Sequence, residues 1–339
     1  MKSKPNILIF IIAFLILLLF IGKLNIIPHS LLGIKKVQSQ EWSIGIYNLN
    51  NKDGKLILTP KPGVKSPILT AKDVTDRDAI FVADPFLVNE KGIYYLFFEV
   101  MGKKKGEIGV ATSKDGLKWR YDKIVLSEPH HLSYPFVFKW KNTYYMIPES
   151  HQANSIKLYK STSFPSGWEL EKVLISGRDF VDSTLVYNNN KWWLFTSTTK
   201  NNNLYLYYAA GLDGPWVEHP KSPVVNGNSQ NARCGGNIFD YNNMIIRFAQ
   251  DDYKSYGSAV RGFKILELNI KDYKEEELIE SPLIKASGSG WNKDGMHNIS
   301  SCKVSDNEWI AAVDGQQIKE DYYMFARLPA WIVKMIQKH

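Results

Sequence analysis

The sequence predicts an all-β domain, a five-bladed β-propeller preceded by an N-terminal transmembrane helix. Three observations carry this reading. Beyond residue 40 no long stretch has helical periodicity, and short runs rich in Val, Ile, Tyr, Phe and Trp alternate with Asn, Gly, Asp and Lys turns. One hairpin pattern recurs five times. Its spacing is roughly fifty to sixty residues, the length of one four-stranded blade.

The first forty residues read as an anchor rather than as fold. Asn6 to Gly22 is NILIFIIAFLILLLFIG, an uncharged run of 17 residues. At about 1.5 Å per residue such a run is near the lower limit for spanning a bilayer, and Leu24–Ile27 adds apolar length beyond Lys23. No small-x-small cleavage site follows it, so an uncleaved signal anchor over residues 1–22 is expected in preference to a cleaved peptide. A juxtamembrane stem over 23–40 comes next. The bulk of the chain is expected outside the cytoplasm, although Lys35 and Lys36 partly balance Lys2 and Lys4.

The propeller is expected over 41–328, with a short tail at 329–339. Its first hairpin is Asp84-Pro-Phe-Leu-Val, a turn at Asn89–Gly92, then Tyr94–Glu99. The second pairs Tyr134–Phe138 with Tyr144–Glu149 across Lys141-Asn142. The third pairs Asp182–Val186 with Trp192–Ser197 across Asn188–Asn190. The fourth pairs Gly235–Phe239 with Ile245–Gln250, and the fifth pairs His297–Val304 with Trp309–Asp314. In the first three units, material for two further strands follows each hairpin. Turns such as Ser113-Lys-Asp-Gly-Leu-Lys-Trp119 suit a tight connection that wedges an aromatic ring between sheets. The early strand Trp42–Tyr47 is expected to close the ring by completing the last blade.

Antiparallel pairing brings the start of each inner strand beside the end of its partner. Strand starts supply Asp84, Tyr134, Asp182, Arg233 and His297; strand ends supply Glu99, Glu149, Ser197, Gln250, Asp251 and Asp314. His131, in the pair His130-His131, lies on the same side. Taken singly, these are ordinary turn acids, charge partners and hydrogen-bonded histidines. Their convergence on one rim is what marks a pocket. Glycosidic-bond chemistry needs one protonated carboxyl group facing an ionised one, and Asp84, Glu99, Glu149 and Asp182 can fill both roles.

Other classes fare badly. The formal charge of +8 lies largely near the N-terminus, which argues against nucleic-acid binding. There is no Gly-x-Ser-x-Gly elbow, Walker loop, HExxH helix or dinucleotide fingerprint. Two cysteines, Cys234 and Cys302, exclude a disulfide scaffold and any multi-Cys metal site. No cofactor and no metal is expected. Asn298-Ile-Ser is a glycosylation sequon whose place at the channel mouth makes it incidental.

The ordered motifs VADPFLV…YYLFFE, SYPFVF…YYMIPES, VDSTLV…WWLF, RCGGNIF…RFAQD with YGSAV, and GMHNIS resemble the propeller domain found N-terminally in glucosamine inositolphosphorylceramide transferases. The likeness covers roughly residues 40 to 328. More distantly, Asp84-Pro85 and the Ser113–Trp119 turn resemble the five-bladed glycosidase superfamily of arabinanases, xylosidases and fructosidases. That resemblance implies that Asp84 is the general base. It also shows two departures, since Tyr134 stands where the acid-tuning Asp belongs and Asp182 where the proton-donating Glu belongs. In the ceramide transferases, transfer chemistry is associated with a separate C-terminal domain, which this sequence is expected to lack.

The leading expectation is therefore a membrane-anchored, carbohydrate-active protein that cleaves or transfers a glycosyl unit on a surface glycan or glycolipid. Asp84 is the base or nucleophile, and Glu149 or Asp182 the acid. Glu99, His131, Tyr134, Arg233, Gln250, Asp251, His297 and Asp314 bind substrate. The alternative is a non-catalytic glycan-binding module serving a glycan-biosynthesis complex, and a third reading is a protein-binding scaffold.

Overall fold

A computed structural model describes residues 34–52, 55–241, 244–305 and 308–324. The anchor, the start of the stem and the expected tail lie outside these residues. Among the described residues no helix is long and apolar enough to cross a membrane. Glu41–Gln317 form one compact unit. In the other unit, of which residues 34–40 and 318–324 are described, Gln38 Nε2 donates to Glu320 Oε1 at 3.2 Å.

The strands, in chain order, are β1 (Ile34–Lys52), β2 (Lys55–Pro60), β3 (Ala79–Glu90), β4 (Ile93–Gly102), β5 (Gly106–Ser113) and β6 (Arg120–Leu126). Then come β7 (Ser133–Trp140), β8 (Thr143–Glu149), β9 (Ser155–Ser163), β10 (Ser166–Ser176), β11 (Phe180–Asn188), β12 (Lys191–Thr198), β13 (Asn203–Ala209), β14 (Val217–Glu218) and β15 (Val225–Asn226). The last are β16 (Phe239–Tyr241), β17 (Met244–Asp251), β18 (Ala259–Leu268), β19 (Tyr273–Glu277), β20 (Ile284–Lys285), β21 (Ile299–Ser305) and β22 (Glu308–Met324). They form five antiparallel sheets, β3–β6, β7–β10, β11–β14, β16–β19, and β21-β22-β1-β2. The fold is the expected five-bladed propeller, and the N-terminal strand does complete the last blade.

Three of the predicted hairpin turns have two residues in the left-handed region. Lys91-Gly92, Lys141-Asn142 and Asn189-Asn190 all have positive φ, the geometry whose twist matches paired strands. The ladder closes directly on each, as in Glu90 opposite Ile93 and Trp140 opposite Thr143. Between blades lie the cores. Phe97, Val110, Val137, Met146 and Trp168 join the first blade to the second. Ile44, Ile46, Val82, Leu96, Phe98 and Ile310 join the fifth to the first. Trp119, the wedge that its turn predicted, packs partly buried against the second of these cores.

Two departures from simple strands matter. Asp84, Tyr134 and Asp182, at matching places in the first three inner strands, have φ of 51°, 42° and 49°. Each lies in a register break, so the strand bulges and turns its side chain toward the axis. The left-handed conformation costs about 1–2 kcal/mol per non-glycine residue. The fourth blade does not run as a strand from Gly235, as expected; Cys234 makes one bridge to Ala249, and β16 begins only at Phe239. The cause is Gly236, with φ 137°, whose backbone bridges to Ile299 of the next blade so closely that a Cβ would sit 1.7 Å from the Ile299 carbonyl oxygen.

Candidate active site

The rim rule brings together residues from all five blades, and nearly all are buried. His297 is central. Its Nδ1 lies 2.7 Å from Asp314 Oδ2 and its Nε2 3.3 Å from Asp84 Oδ1. Burial opposes its charge, but Asp314 and Asp84 outweigh that and push the imidazole up to about 9. Asp314 also accepts the backbone N–H groups of Asp84, His297 and Asn298 at 3.1, 2.9 and 3.0 Å. Burial, followed by the neighbouring Asp182 and Asp314, raises Asp84 to about 7 against the pull of His297.

Asp182 is held by Arg233, whose Nε donates to Oδ2 at 2.5 Å and Nη2 to Oδ1 at 3.3 Å. Gln250 Nε2 adds a bond to Oδ2 at 2.6 Å. Although burial works against the guanidinium charge, Asp182 keeps Arg233 firmly protonated. Tyr256 lies over Arg233, 5.4 Å from ring centroid to guanidinium, and 5.3 Å from the His297 ring. Trp42 packs against His297 at 4.1 Å and meets the Tyr256 ring edge-on at 6.3 Å.

Glu149 accepts from Ser133 Oγ (2.9 Å) and from the His151 backbone N–H (2.9 Å), and its Oε1 meets His151 Nδ1 at 2.6 Å. Burial alone would raise it, yet the His151 bonds bring it down to about 2. Glu99 has no such support. Burial first, then the charges of Asp84, Glu149, Asp182 and Asp314, hold it well above the carboxylate range. The mouth therefore holds the proton of one carboxyl group more tightly and stabilises the anion of another within its electrostatic reach, the division that acid–base chemistry requires.

Two expected members stand apart. Asp251 alternates with Gln250 along β17 and faces away, accepting from Arg261 Nε at 2.8 Å. Tyr134 meets the mouth through its backbone N–H, which donates to Asp84 Oδ2 at 3.1 Å, and not through its ring. It is wholly buried and crosses the axis, its hydroxyl donating to the Gly236 carbonyl (2.8 Å), accepting from the Gly236 N–H (2.8 Å) and meeting Thr184 Oγ1 (2.9 Å). Sequence reasoning missed His151, Ser133 and Tyr256. His151 follows the strand end Glu149 by two residues, and that offset was the available signal.

Among the described residues, Asp84, His297 and Asp314 bring possible metal-ligand atoms within 4.8 Å of one another. Both ring nitrogens of His297 already face carboxylates, so the imidazolium is the cation of this cluster. Cys234 and Cys302 are both free. Asn298 is wholly buried and donates to the Pro85 carbonyl at 2.7 Å, which makes its sequon inaccessible in the folded chain.

The fold defines a class, the five-bladed propellers shared by glycoside hydrolases. Solved structures of this shape include a glycoside hydrolase from Parabacteroides distasonis (TM-score 0.56, 12% identity, covering 75% of this chain and 95% of that one). The catalytic domain of a Coprinopsis cinerea GH62 α-L-arabinofuranosidase is another (TM-score 0.53, 13% identity, 82% and 98% covered). At such identities the likeness concerns the fold alone.

Within that class, residues 38–316 match the family model of the N-terminal domain of glucosamine inositolphosphorylceramide transferase 1, and the chain belongs to this family. The transferase of that name from Arabidopsis thaliana is 33% identical over 322 residues, which are 88% of this chain and 42% of the relative. The one from Oryza sativa subsp. japonica is 38% identical over 270 residues, 75% of this chain and 36% of the relative. The chain thus spans about two fifths of the length of these relatives.

Proposed function

We propose that the propeller makes or breaks a glycosidic bond of a glycan or glycolipid, with Glu99 as proton donor and Asp84 as base. One observation carries this reading: Glu99, whose proton burial and the charge of Asp84 hold, shares the mouth with Asp84, whose buried Oδ1 has no hydrogen-bond partner. The acid role expected of Glu149 or Asp182 passes to Glu99, because Glu149 is held as an anion and Asp182 is bound by Arg233. Those two are tied into ion pairs, Glu149 with His151 and Asp182 with Arg233. A lipid-linked sugar is the substrate class we favour, since the relatives are named for transfer to a ceramide. The apolar run Asn6–Gly22 would anchor the protein in a membrane, with the propeller outside the cytoplasm and beside glycan-biosynthesis partners.

The test is incubation of the full chain, in detergent micelles, with a panel of glycans, glycolipids and activated sugars. Glu99→Gln is expected to lower turnover by about 10²–10⁴-fold with ligand binding retained, and Asp84→Asn to do the same. Unchanged turnover in Glu99→Gln would remove the assignment. A second reading, a glycan-binding module without catalysis, draws support from Asp182, whose two oxygens are already taken by Arg233 and Gln250. Binding without product under any condition would favour it.

A further inference from the structure

Glu149 and Glu99 each face a histidine, and the two histidines differ in what their Nδ1 atoms meet. His151 Nδ1 meets a carboxylate, Glu149 Oε1, at 2.6 Å. That nitrogen carries a proton, and the bond to Glu149 raises the ring above its ordinary value. His131 Nδ1 instead accepts the backbone N–H of Gly106 at 2.8 Å. A nitrogen that accepts carries no proton, so the ring of His131 is the neutral tautomer with its proton on Nε2. Burial, which disfavours a charged ring, acts in the same direction. The rings lie 6.1 Å apart between centroids, and their surroundings shift them in opposite directions, His151 up and His131 down.

The lock on His131 is built from backbone. Gly106 opens β5, and its carbonyl accepts the Leu132 N–H at 3.1 Å. The His131 N–H donates to Gln152 Oε1 at 3.0 Å. A Cβ at position 106 would lie 2.4 Å from the Leu132 carbonyl oxygen, 2.7 Å from Glu99 Oε1 and 2.8 Å from His131 Cε1. Only glycine lets amide, carboxyl and imidazole converge there. From this position His131 Nε2 faces Glu99 Oε1 at 3.5 Å, the outer edge of hydrogen-bond reach in the ligand-free site.

We propose that His131 is a positioning residue: its locked Nε2–H faces Glu99 Oε1 and so keeps the acid proton of Glu99 on the other oxygen, Oε2. The backbone amide of Gly106 thereby decides which oxygen of Glu99 carries the proton. This rests on the reading of Glu99 as the acid, and it adds the group that orients the proton. No proton passes through His131, because loss of the Nε2 proton would leave an imidazolate.

The charges facing Glu99 are Asp84, Asp182, Asp314 and Glu149, and those facing His131 are Glu149, His130, His151 and Arg233. Substitutions at His131 leave all of them in place. In the full chain, His131→Asn keeps an acceptor for the Gly106 N–H but loses the donor toward Glu99. His131→Gln places an amide N–H near the lost Nε2. Without the donor the ionised form of Glu99 is less stable, so the alkaline limb of the kcat/KM profile should move up by about one pH unit in His131→Asn, with turnover down about 10-fold. His131→Gln should stay closer to wild type on both counts. Infrared spectroscopy reads the same event without turnover, through the protonated-carboxyl band that Glu99→Gln abolishes. A band that shifts in His131→Asn and not in His131→Gln supports the proposal, even where no chain turns over and Glu99 proves not to be the acid. Identical bands in the two variants and wild type would overturn it.

Discussion

Tyr134→Phe isolates the clasp that ties three blades across the axis. The tyrosine comes from β7, Thr184 from β11, and Gly236 from the segment before β16. The substitution removes one hydroxyl and leaves the ring. The Gly236 carbonyl keeps a bond from Thr184 Oγ1 at 3.3 Å, whereas the Gly236 N–H loses the Tyr134 oxygen at 2.8 Å. A lost net hydrogen bond costs about 1 kcal/mol and an orphaned buried donor about 1–3 kcal/mol, so the expected destabilisation is about 2–4 kcal/mol. Urea unfolding of the full chain in mild detergent, followed by tryptophan fluorescence, measures it. Tyr187→Phe, at an exposed ring, is the control and should change stability by less than about 0.5 kcal/mol. A Tyr134→Phe protein as stable as that control would refute the clasp.

Two further outcomes follow from the buried charges. His297 is raised to about 9 from an ordinary 6.5, so its contribution is fully present below about pH 6.5 and is lost as pH rises through about 9. Asp84, raised to about 7, acts in the same direction at lower pH. The unfolding free energy from urea titrations should therefore fall between pH 6.5 and 9.5 by an amount on the order of 3 kcal/mol at most, and His297→Gln should flatten the dependence. Arg233→Met should cost about 3–5 kcal/mol by leaving Asp182 buried with Gln250 alone. A double-mutant cycle with Asp182→Asn, showing strong coupling between the two sites, is the check.

Much of the fold was legible in residues that act locally. Asn, Lys and Gly at the hairpin tips adopt left-handed turns, and alternating apolar residues fill the spaces between blades. Because antiparallel pairing fixes which strand ends meet, the rim residues followed from the same pattern. Asp251 and the Tyr134 ring are the exceptions; for Asp251 the reason is also local, since one step along β17 from Gln250 it points to the opposite face.

The bulges at Asp84, Tyr134 and Asp182 were not legible, since neither aspartate nor tyrosine announces a positive φ. Nor was the role of Tyr134, whose partners Thr184 and Gly236 lie 50 and 102 residues away. The sequence by itself determined how many blades there are, where they turn, which strand closes the ring and which side chains reach one rim. Only the tertiary structure decided which of those side chains are charged. A carboxyl group takes its proton according to burial and the groups that face it, and at this mouth those groups come from other blades and from backbone amides.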